Sequence, residues 1–257
     1  MTPGALRVVS YNLLHGIDLT ARGAVDLSGA AEVLADVDAD VIALQEVDRG
    51  QDRSGGADQV AQLASLLGMT GAFCPALHGS PDRSWVPADA RRDGPAYGVG
   101  LLVRSGLLKT RHVRLPGGGA GSRGPNASLR NPGWDNEPRV ALVADVHTAG
   151  WRLTVIVTHL SYLPLRAVRQ LRVATQAAAS ATTRVLIGDL NLPAWAVRAA
   201  VPGWRHAGGQ PTFPAWRPRL QMHPVLLDGP VATEQAVAHP RSTSDHRPLV
   251  VDLRPRD

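Results

Sequence analysis

The spacing of apolar and polar residues predicts short strands interspersed with amphipathic helices. Residues 6–12 alternate between the two kinds of side chain and end in a polar turn, which is typical of a strand. Residues 29–37 and 165–180 carry apolar side chains at helical spacing, and the second pattern is the stronger. A further helix is predicted at 60–67, closed by Gly68. The other predicted strands are 41–46, 97–103, 140–146, 153–158, 185–187, 225–227 and 249–251.

Two long segments interrupt this pattern. Residues 78–96 and 115–138 are rich in Gly, Pro, Asp and Arg, and we expect long loops, which in compact domains usually carry function or move. We find no internal repeat and no linker, so we predict one domain over residues 1–257. Strand-rich segments with helices between them predict an α/β domain in which two sheets pack together.

Composition narrows the class of protein. A chain of 257 residues with 44% hydrophobic content can bury a substantial core, and no apolar run reaches the roughly 20 residues needed to span a bilayer. The N-terminus lacks the apolar stretch of a secretory signal, and Cys74, the single cysteine, cannot form an intrachain disulfide. We therefore expect a cytoplasmic monomer without a membrane span.

Net charge does not identify a partner. The formal charge of +5 would suit an anionic ligand. However, Lys109 is the only lysine, and the abundance of arginine, alanine and glycine is what a coding bias produces. Charge alone therefore does not indicate that the protein binds nucleic acid.

Polar side chains fall at or just past the ends of apolar strands, and together they indicate one site. Each alone has an ordinary explanation, such as a turn residue, a cap or a core histidine. Because strand ends at one edge of a sheet gather ligand sites, the repetition is informative. Carboxylate and amide oxygens suit Mg²⁺ or Mn²⁺, and histidines suit acid–base work and contacts to phosphate oxygens. The residues are Asn12, Glu46, His159, Asp189, Asn191, Asp245 and His246.

Five motifs carry a resemblance to a known family. In chain order they are Tyr11-Asn12-Leu13-Leu14-His15-Gly16, Ala43-Leu44-Gln45-Glu46-Val47-Asp48, Thr158-His159-Leu160, Gly188-Asp189-Leu190-Asn191 and Ser244-Asp245-His246. Over about residues 6–253 this order and spacing resemble the endonuclease/exonuclease/phosphatase family. Weaker likenesses are Tyr97-Gly98, Glu137-Pro138-Arg139 and Thr212-Phe213-Pro214. The resemblance implies a DNase I-like four-layer α/β sandwich, with two mixed β-sheets packed face to face, helices outside, and the site at one end.

The resemblance also implies roles for residues around a metal and a water molecule. Glu46 would bind the catalytic Mg²⁺ or Mn²⁺, with Asn12 and Asp245 completing or orienting its shell. Asp189 would position or deprotonate the attacking water, and Asn191 would hydrogen-bond that water or the phosphorane. The implied reaction is metal-assisted, in-line hydrolysis of a phosphodiester or phosphomonoester.

A second group of residues would contact the substrate. By the same resemblance, His159 and His246 would contact non-bridging phosphate oxygens. Tyr97, Arg139 and His223 are the remaining expected substrate-binding residues.

One position departs from the family pattern. Relatives carry an Ile-Asp-His or Ile-Asp-Tyr triplet before a late strand, whereas residues 221–227 place His223 where the aspartate normally partners His246. A histidine cannot supply the negative charge that stabilises a protonated imidazole. Either activity is weakened, or Asp228 or Glu234 substitutes, or His223 serves a different leaving group. A shifted alignment, with His223 an ordinary loop residue, is a further alternative.

The resemblance leaves the substrate open, because known family substrates include DNA, RNA, inositol phosphates and sphingomyelin. We favour a small-molecule, lipid-headgroup or sugar phosphate, since segments 14–18 and 48–49 look closer to bacterial members than to abasic-site nucleases. Nuclease action on DNA or RNA is the alternative, although no aromatic-interleaved basic groove is evident. A third hypothesis is a scaffold that binds a phosphorylated ligand without turnover. Arginines in the two long loops either clamp an anionic substrate or are solvated: Arg83, Arg91, Arg92, Arg123 and Arg130.

Overall fold

A computed structural model describes residues 4–89, 92–122 and 135–256. None of the helices within these residues is both long enough and apolar enough to cross a membrane. In chain order the strands and helices are β1 (Leu6–Asn12), β2 (Ile17–Asp18), β3 (Ala24–Val25), α1 (Leu27–Val37), β4 (Val41–Arg49), α2 (Gln59–Leu67), β5 (Thr70–Gly79), β6 (Ser84–Pro87), β7 (Ala96–Val103), β8 (Leu107–Arg114), β9 (Gly121–Ser122), β10 (Val140–Thr148), β11 (Trp151–His159), α3 (Pro164–Gln176), β12 (Arg184–Asp189), α4 (Ala194–Ala200), β13 (Arg205–His206), β14 (Val225–Asp228), β15 (Val231–Ala238) and β16 (Leu249–Pro255).

Local signals in the sequence set where the helices begin and end. The Asp26 carboxylate accepts the Ser28 N–H at 2.8 Å and caps the start of α1. Asp58 caps α2 in the same way, and Gly68 ends that helix in the left-handed conformation. Pro164 opens α3, where its missing N–H costs nothing because the first turn has no acceptor for it.

Most of the strands form two mixed sheets. The larger sheet has the order β15-β16-β1-β4-β7-β5-β6-β9, and the second has the order β13-β14-β12-β11-β10-β8. Strand β1 runs parallel to β4, and β11 runs parallel to β12. Since the carboxyl ends of parallel strands lie at the same edge, each sheet has one edge at which the last residues of two strands are neighbours.

Alternation along the strands separates three apolar layers. In β1, Val8 belongs to the core between the two sheets, and Val9 belongs to the layer beneath α1 and α2. In β12, Val185 faces the other sheet, and Leu186 lies beneath α3 and α4. Helices therefore cover the outer face of each sheet. The predicted four-layer α/β sandwich with two mixed sheets is confirmed.

The apolar pattern located the buried elements and missed several exposed ones. Strand β8 is exposed along most of its length, and β15 is mostly half-buried at a sheet edge, so neither shows a clear apolar face. Strand β5 contains Gly71 and Pro75, which usually break strands, and its pairing with β7 shifts register after Pro75. Helix α4 was also missed.

Two predicted boundaries were wrong. The loop predicted at 78–96 contains the end of β5 and the whole of β6, and the helix predicted at 165–180 ends at Gln176. The second predicted loop, 115–138, includes β9, but residues 123–134 lie outside the described part of the chain.

Candidate active site

The strand ends of the two facing sheets meet at one buried amide. Asn12 is the last residue of β1, and Asp189 is the last residue of β12 in the opposite sheet. The Asn12 Nδ2 donates to Glu46 Oε1 at 2.9 Å and to Asp189 Oδ2 at 3.3 Å. The Asn12 Oδ1 accepts the Leu14 N–H at 3.1 Å, which fixes the orientation of the amide. One side chain thus holds two carboxylates from different sheets in a defined relation.

Glu46 reaches this point through a distortion of its strand. It lies inside β4, which continues to Arg49, so the prediction that the strand ends at Glu46 was wrong. The pairing of β4 with β7 shifts register between Leu44 and Val47, and Glu46 itself has φ 56°. A bulge of this kind re-aims a side chain, and the left-handed conformation costs a non-glycine residue about 1–2 kcal/mol. Strain at Glu46 is therefore part of how the site is built.

The two carboxylates have opposite pKa shifts. Burial raises the pKa of Glu46 to about 7, and repulsion from Glu137 and Asp189 adds to the rise. Burial also opposes ionisation of Asp189, but the imidazole of His223 and the other nearby histidines outweigh it and hold the pKa of Asp189 well below its usual value. Neighbouring carboxyl groups with divided pKa values are typical of acid–base sites.

His159 and His246 are held neutral. Burial lowers the pKa of His159 to about 3, assisted by the positive charge of Arg139. Burial likewise lowers the pKa of His246, and the adjacent His223 adds to the shift. Each ring therefore enters the site at neutral pH with one N–H donor and one acceptor nitrogen.

Tyr11 anchors the loop that carries Asp245 and His246. Its Oη accepts the backbone N–H groups of Thr243 at 3.1 Å and Ser244 at 3.2 Å. The Ser244 Oγ accepts the His246 N–H at 3.2 Å and donates to Asp245 Oδ1 at 3.1 Å. Tyr11 belongs to the first motif, but this anchoring role was not predicted, because it depends on a contact across 232 residues.

His223 lies beside His246, the residue that the family pattern would pair with this position. It is fully buried, and its ring stacks on that of His246 with centroids 4.8 Å apart and planes 23° apart. Its Nε2 lies 3.7 Å from Asp189 Oδ2, which is an electrostatic contact longer than a hydrogen bond. His223 is therefore a neighbour of His246 and not an ordinary loop residue, while its equivalence to the aspartate of the family pattern stays a prediction.

Neither proposed substitute acid reaches His246. The Asp228 carboxylate accepts from Arg184 Nε at 2.7 Å, at the end of the β12–β14 pair opposite to Asp189. Glu234 is exposed on the edge strand β15. The hypothesis that either residue replaces the missing aspartate was wrong, because β14 runs away from the site after His223.

Arg139 and Tyr97 lie at the border of the site. Arg139 pairs there with two acidic residues, and this pairing was not predicted. Arg139 is 6% exposed, and its guanidinium lies 3.3 Å from Asp135 and 3.5 Å from Glu137. Burial and the charge of Glu46 raise the pKa of Tyr97. Tyr97, Glu137, Arg139 and the site histidine His159 line one small cavity. The sequence signal was the Glu137-Pro138-Arg139 motif, although it did not show that the two charges pair.

Within the described residues, the arginines of the two predicted loops do not come together around the site. Arg83 is 78% exposed on its side chain and 3.9 Å from Asp52, and Arg92 is exposed. Arg53 was overlooked, yet it pairs with Asp48 at 2.8 Å and lies 5.4 Å from the Tyr97 ring centre. The remaining predicted arginines lie outside the described residues: Arg91, Arg123 and Arg130.

The site has the charge needed to hold a divalent cation. Glu46 is surrounded by the negative charges of Glu137, Asp189 and Asp245, which together help to raise its pKa. A bound cation would relieve this repulsion, and carboxylate oxygens are the ligands that Mg²⁺ and Mn²⁺ prefer. The residues present therefore fit such an ion.

The fold and the site define a class of protein, the α/β sandwich hydrolases with paired carboxylates at one end of two sheets. The chain matches the model of the Endonuclease/Exonuclease/phosphatase family over residues 9–246. It belongs to this family, whose members hydrolyse phosphoester bonds.

Several solved structures are similar to the chain. An endonuclease/exonuclease/phosphatase from Beutenbergia cavernae has 22% identity and a TM-score of 0.76, covering 98% of this chain and 72% of that one. A D. rerio TDP2 humanized by 14 mutations has 19% identity and a TM-score of 0.65, covering 97% and 99%. A mannosyl-6-phosphatase from Bacteroides thetaiotaomicron has 15% identity and a TM-score of 0.68, covering 96% and 99%. Among curated proteins, no match to the chain is found.

Proposed function

We propose that the protein is a phosphoesterase that depends on Mg²⁺ or Mn²⁺ and hydrolyses a phosphodiester or phosphomonoester by in-line attack of water. One observation carries the proposal. The Asn12 amide joins Glu46 and Asp189, two carboxylates from facing sheets whose pKa values are shifted in opposite directions. In such a pair, one carboxylate can bind a cation and the other can accept a proton.

Asp189 is the base or water-positioning group in this proposal. Its low pKa keeps it ionised, so it can accept a hydrogen bond from the attacking water. The Asn191 N–H donates to Asp189 Oδ1 at 3.2 Å, and the Asn191 side chain donates to the Leu160 carbonyl at 3.0 Å. These bonds hold Asn191 beside the same water.

Glu46 is the principal ligand for the cation, with Asn12 and Asp245 completing or orienting its shell. When bound, the ion neutralises charge on the phosphate and lowers the pKa of a coordinated water. The neutral rings of His159 and His246 each offer one N–H to a phosphate oxygen, and the substrate contacts Tyr97, Arg139 and His223. Fixed donors of this kind stabilise the transition state without reorganisation.

A small-molecule, lipid-headgroup or sugar phosphate is the favoured substrate. Arg139 and Arg53 lie beside Tyr97, but carboxylates pair with both. Pairing weakens the positive field that binding of a long polyanion needs. The likeness to a mannosyl-6-phosphatase is compatible with this preference.

Nucleic acid is the second candidate substrate because of two exposed tryptophans. Trp195 is 72% exposed and lies four residues after Asn191. Trp216 is 73% exposed and lies three residues after Phe213, whose ring is 4.6 Å from that of His246. Exposed aromatic rings can stack on unpaired bases.

The deciding assay compares hydrolysis by the wild type, Asp189→Asn and a control, Asp145→Asn. Asp145 is exposed in the middle of β10, where it accepts a bond from Thr154 at 2.8 Å. With Mg²⁺ or Mn²⁺ and nitrophenyl phosphate mono- and diesters, we expect Asp189→Asn to lose about 100-fold or more, the usual contribution of a general base. Asp145→Asn should retain wild-type rates.

The proposal fails if the wild type is no faster than Asp189→Asn with every metal and ester, and a ligand-binding scaffold would then be the better description. Substrate class follows from the same preparations with sugar phosphates and single-stranded oligonucleotides. A nuclease should lose affinity linearly in log salt as counterions are released, whereas a small-molecule phosphatase should depend on salt far less.

A further inference from the structure

The two stacked histidines present buried nitrogen atoms that the chain leaves without partners. His223 is 0% exposed, and none of the described residues hydrogen-bonds its Nδ1 or its Nε2. His246 is 7% exposed, and its Nδ1 is also without a partner among the described residues. A buried polar atom left unpaired costs about 1–3 kcal/mol. Three such atoms in one place indicate a ligand that the chain itself does not supply.

Two of these three nitrogens, one from each ring, converge on one carboxylate oxygen. Asp189 Oδ2 lies 3.7 Å from His223 Nε2 and 3.9 Å from His246 Nδ1. Ligand atoms of the three residues all lie within 4.8 Å of one another. A tetrahedral metal about 2.1 Å from each ligand separates neighbouring ligand atoms by about 3.4 Å. The two separations from the carboxylate oxygen therefore need to shorten by no more than about 0.5 Å, and the one between the two nitrogens by at most about 1.4 Å.

We propose that Asp189, His223 and His246 form a second cation site, which takes a borderline divalent transition metal such as Zn²⁺. Two imidazoles and one carboxylate are the donor set that such metals accept, whereas Mg²⁺ prefers oxygen ligands throughout. The site is separate from the hard-ion site at Glu46, and it arises because a histidine replaces the aspartate of the family pattern.

The charge of the site favours a cation over a bound anion. The Asp189 carboxylate lies within 4 Å of His223 Nε2 and His246 Nδ1, and it attracts a cation and repels a phosphate at that point. Glu46 adds negative charge to the same end of the molecule, since the Asn12 amide holds it against Asp189. The inference rests on the proposed function only in placing this second cation beside the phosphate ester.

Metal binding can be measured without turnover. Protein stripped with a chelator is titrated with Co²⁺, followed by visible absorption and by equilibrium dialysis. We expect a nitrogen-ligated Co²⁺ spectrum that Zn²⁺ abolishes and excess Mg²⁺ does not. In His223→Asn, Co²⁺ affinity should fall about 100-fold or more, at or above the 10–100-fold cost of losing an outer-shell partner.

Three further variants make the result specific. Glu46→Gln should retain the Co²⁺ spectrum, because the two sites are separate. His147→Asn alters an exposed histidine on β10 and should bind as the wild type does. His223→Asp restores the acid of the family pattern and should bind Co²⁺ more weakly while letting Mg²⁺ compete, and it serves as the test if His223→Asn does not fold.

Two results would overturn the inference. The first is an equal Co²⁺ affinity in the wild type and in His223→Asn, or in the folded His223→Asp variant. The second is displacement of Co²⁺ by Mg²⁺ in the wild type. Its failure is distinct from failure of the proposed function. Loss of hydrolysis in Asp189→Asn can hold without a second metal site, and Co²⁺ can bind to a protein that hydrolyses nothing.

Discussion

Acidification should remove the stability that the neutral His159 contributes to the metal-free protein. This residue ends β11, where burial and the charge of Arg139 lower its pKa to about 3. In the unfolded chain the imidazole has its ordinary pKa of about 6.5. Between pH 6.5 and pH 3, the unfolded chain binds a proton at this residue that the folded chain does not, so the contribution of His159 to the free energy of unfolding falls as the pH falls.

The size of the effect follows from the two pKa values. One pKa unit corresponds to about 1.4 kcal/mol. At pH 5 the folded His159 is still neutral while the unfolded one is almost fully protonated, and the difference amounts to about 2 kcal/mol relative to pH 8. The low pKa of Asp189 also removes stability in acid, but only below about pH 5, where the unfolded carboxyl begins to take up protons. Glu46 acts in the opposite sense, because its folded pKa of about 7 lies above its unfolded value, so it adds stability as the pH falls from 8 to 5.

Urea unfolding at pH 8 and pH 5, with chelator present, measures this difference. The wild type should lose about 2 kcal/mol more than His159→Gln between the two pH values. His147→Gln, which removes an exposed histidine from β10, should behave as the wild type does. Equal changes in the wild type and His159→Gln would refute the reasoning, because the titrations of Glu46 and His246 are shared by both proteins and cancel in the comparison.

Two further substitutions test how the site is held. In Gly188→Ala, the new Cβ would lie 1.9 Å from the Thr158 carbonyl oxygen, so β11 and β12 must move apart. We expect the free energy of unfolding, measured in urea, to fall by about 3 kcal/mol or more. Unchanged stability would contradict this packing. In Tyr11→Phe, the amides of Thr243 and Ser244 lose a buried acceptor, so we expect a loss of about 1–3 kcal/mol and a lower rate of ester hydrolysis. A variant with wild-type stability and rate would show that the hydroxyl does not anchor this loop.

Much of the fold was predictable because its core strands carry a local signal. Buried strands such as β1, β4 and β12 have apolar runs that end in a polar residue, and those endings are enough to select Asn12 and Asp189 from the sequence alone. Strands β8 and β15 were not predictable in this way. They lie at or beside sheet edges with little buried surface, so pairing with a neighbouring strand determines them more than their own residues do.

The sequence by itself determined which residues could form the site, since the motifs and strand ends select them, and its resemblance to the family predicts an acid at the position of His223. Only the tertiary structure decided how they are used. The bulge that turns Glu46 inward, the Asn12 amide that spans two sheets, and the unpaired nitrogens of His223 and His246 all depend on packing between distant segments. The physical reason is that apolar periodicity is a property of neighbouring residues, whereas distances between two sheets arise only when their shared core is packed.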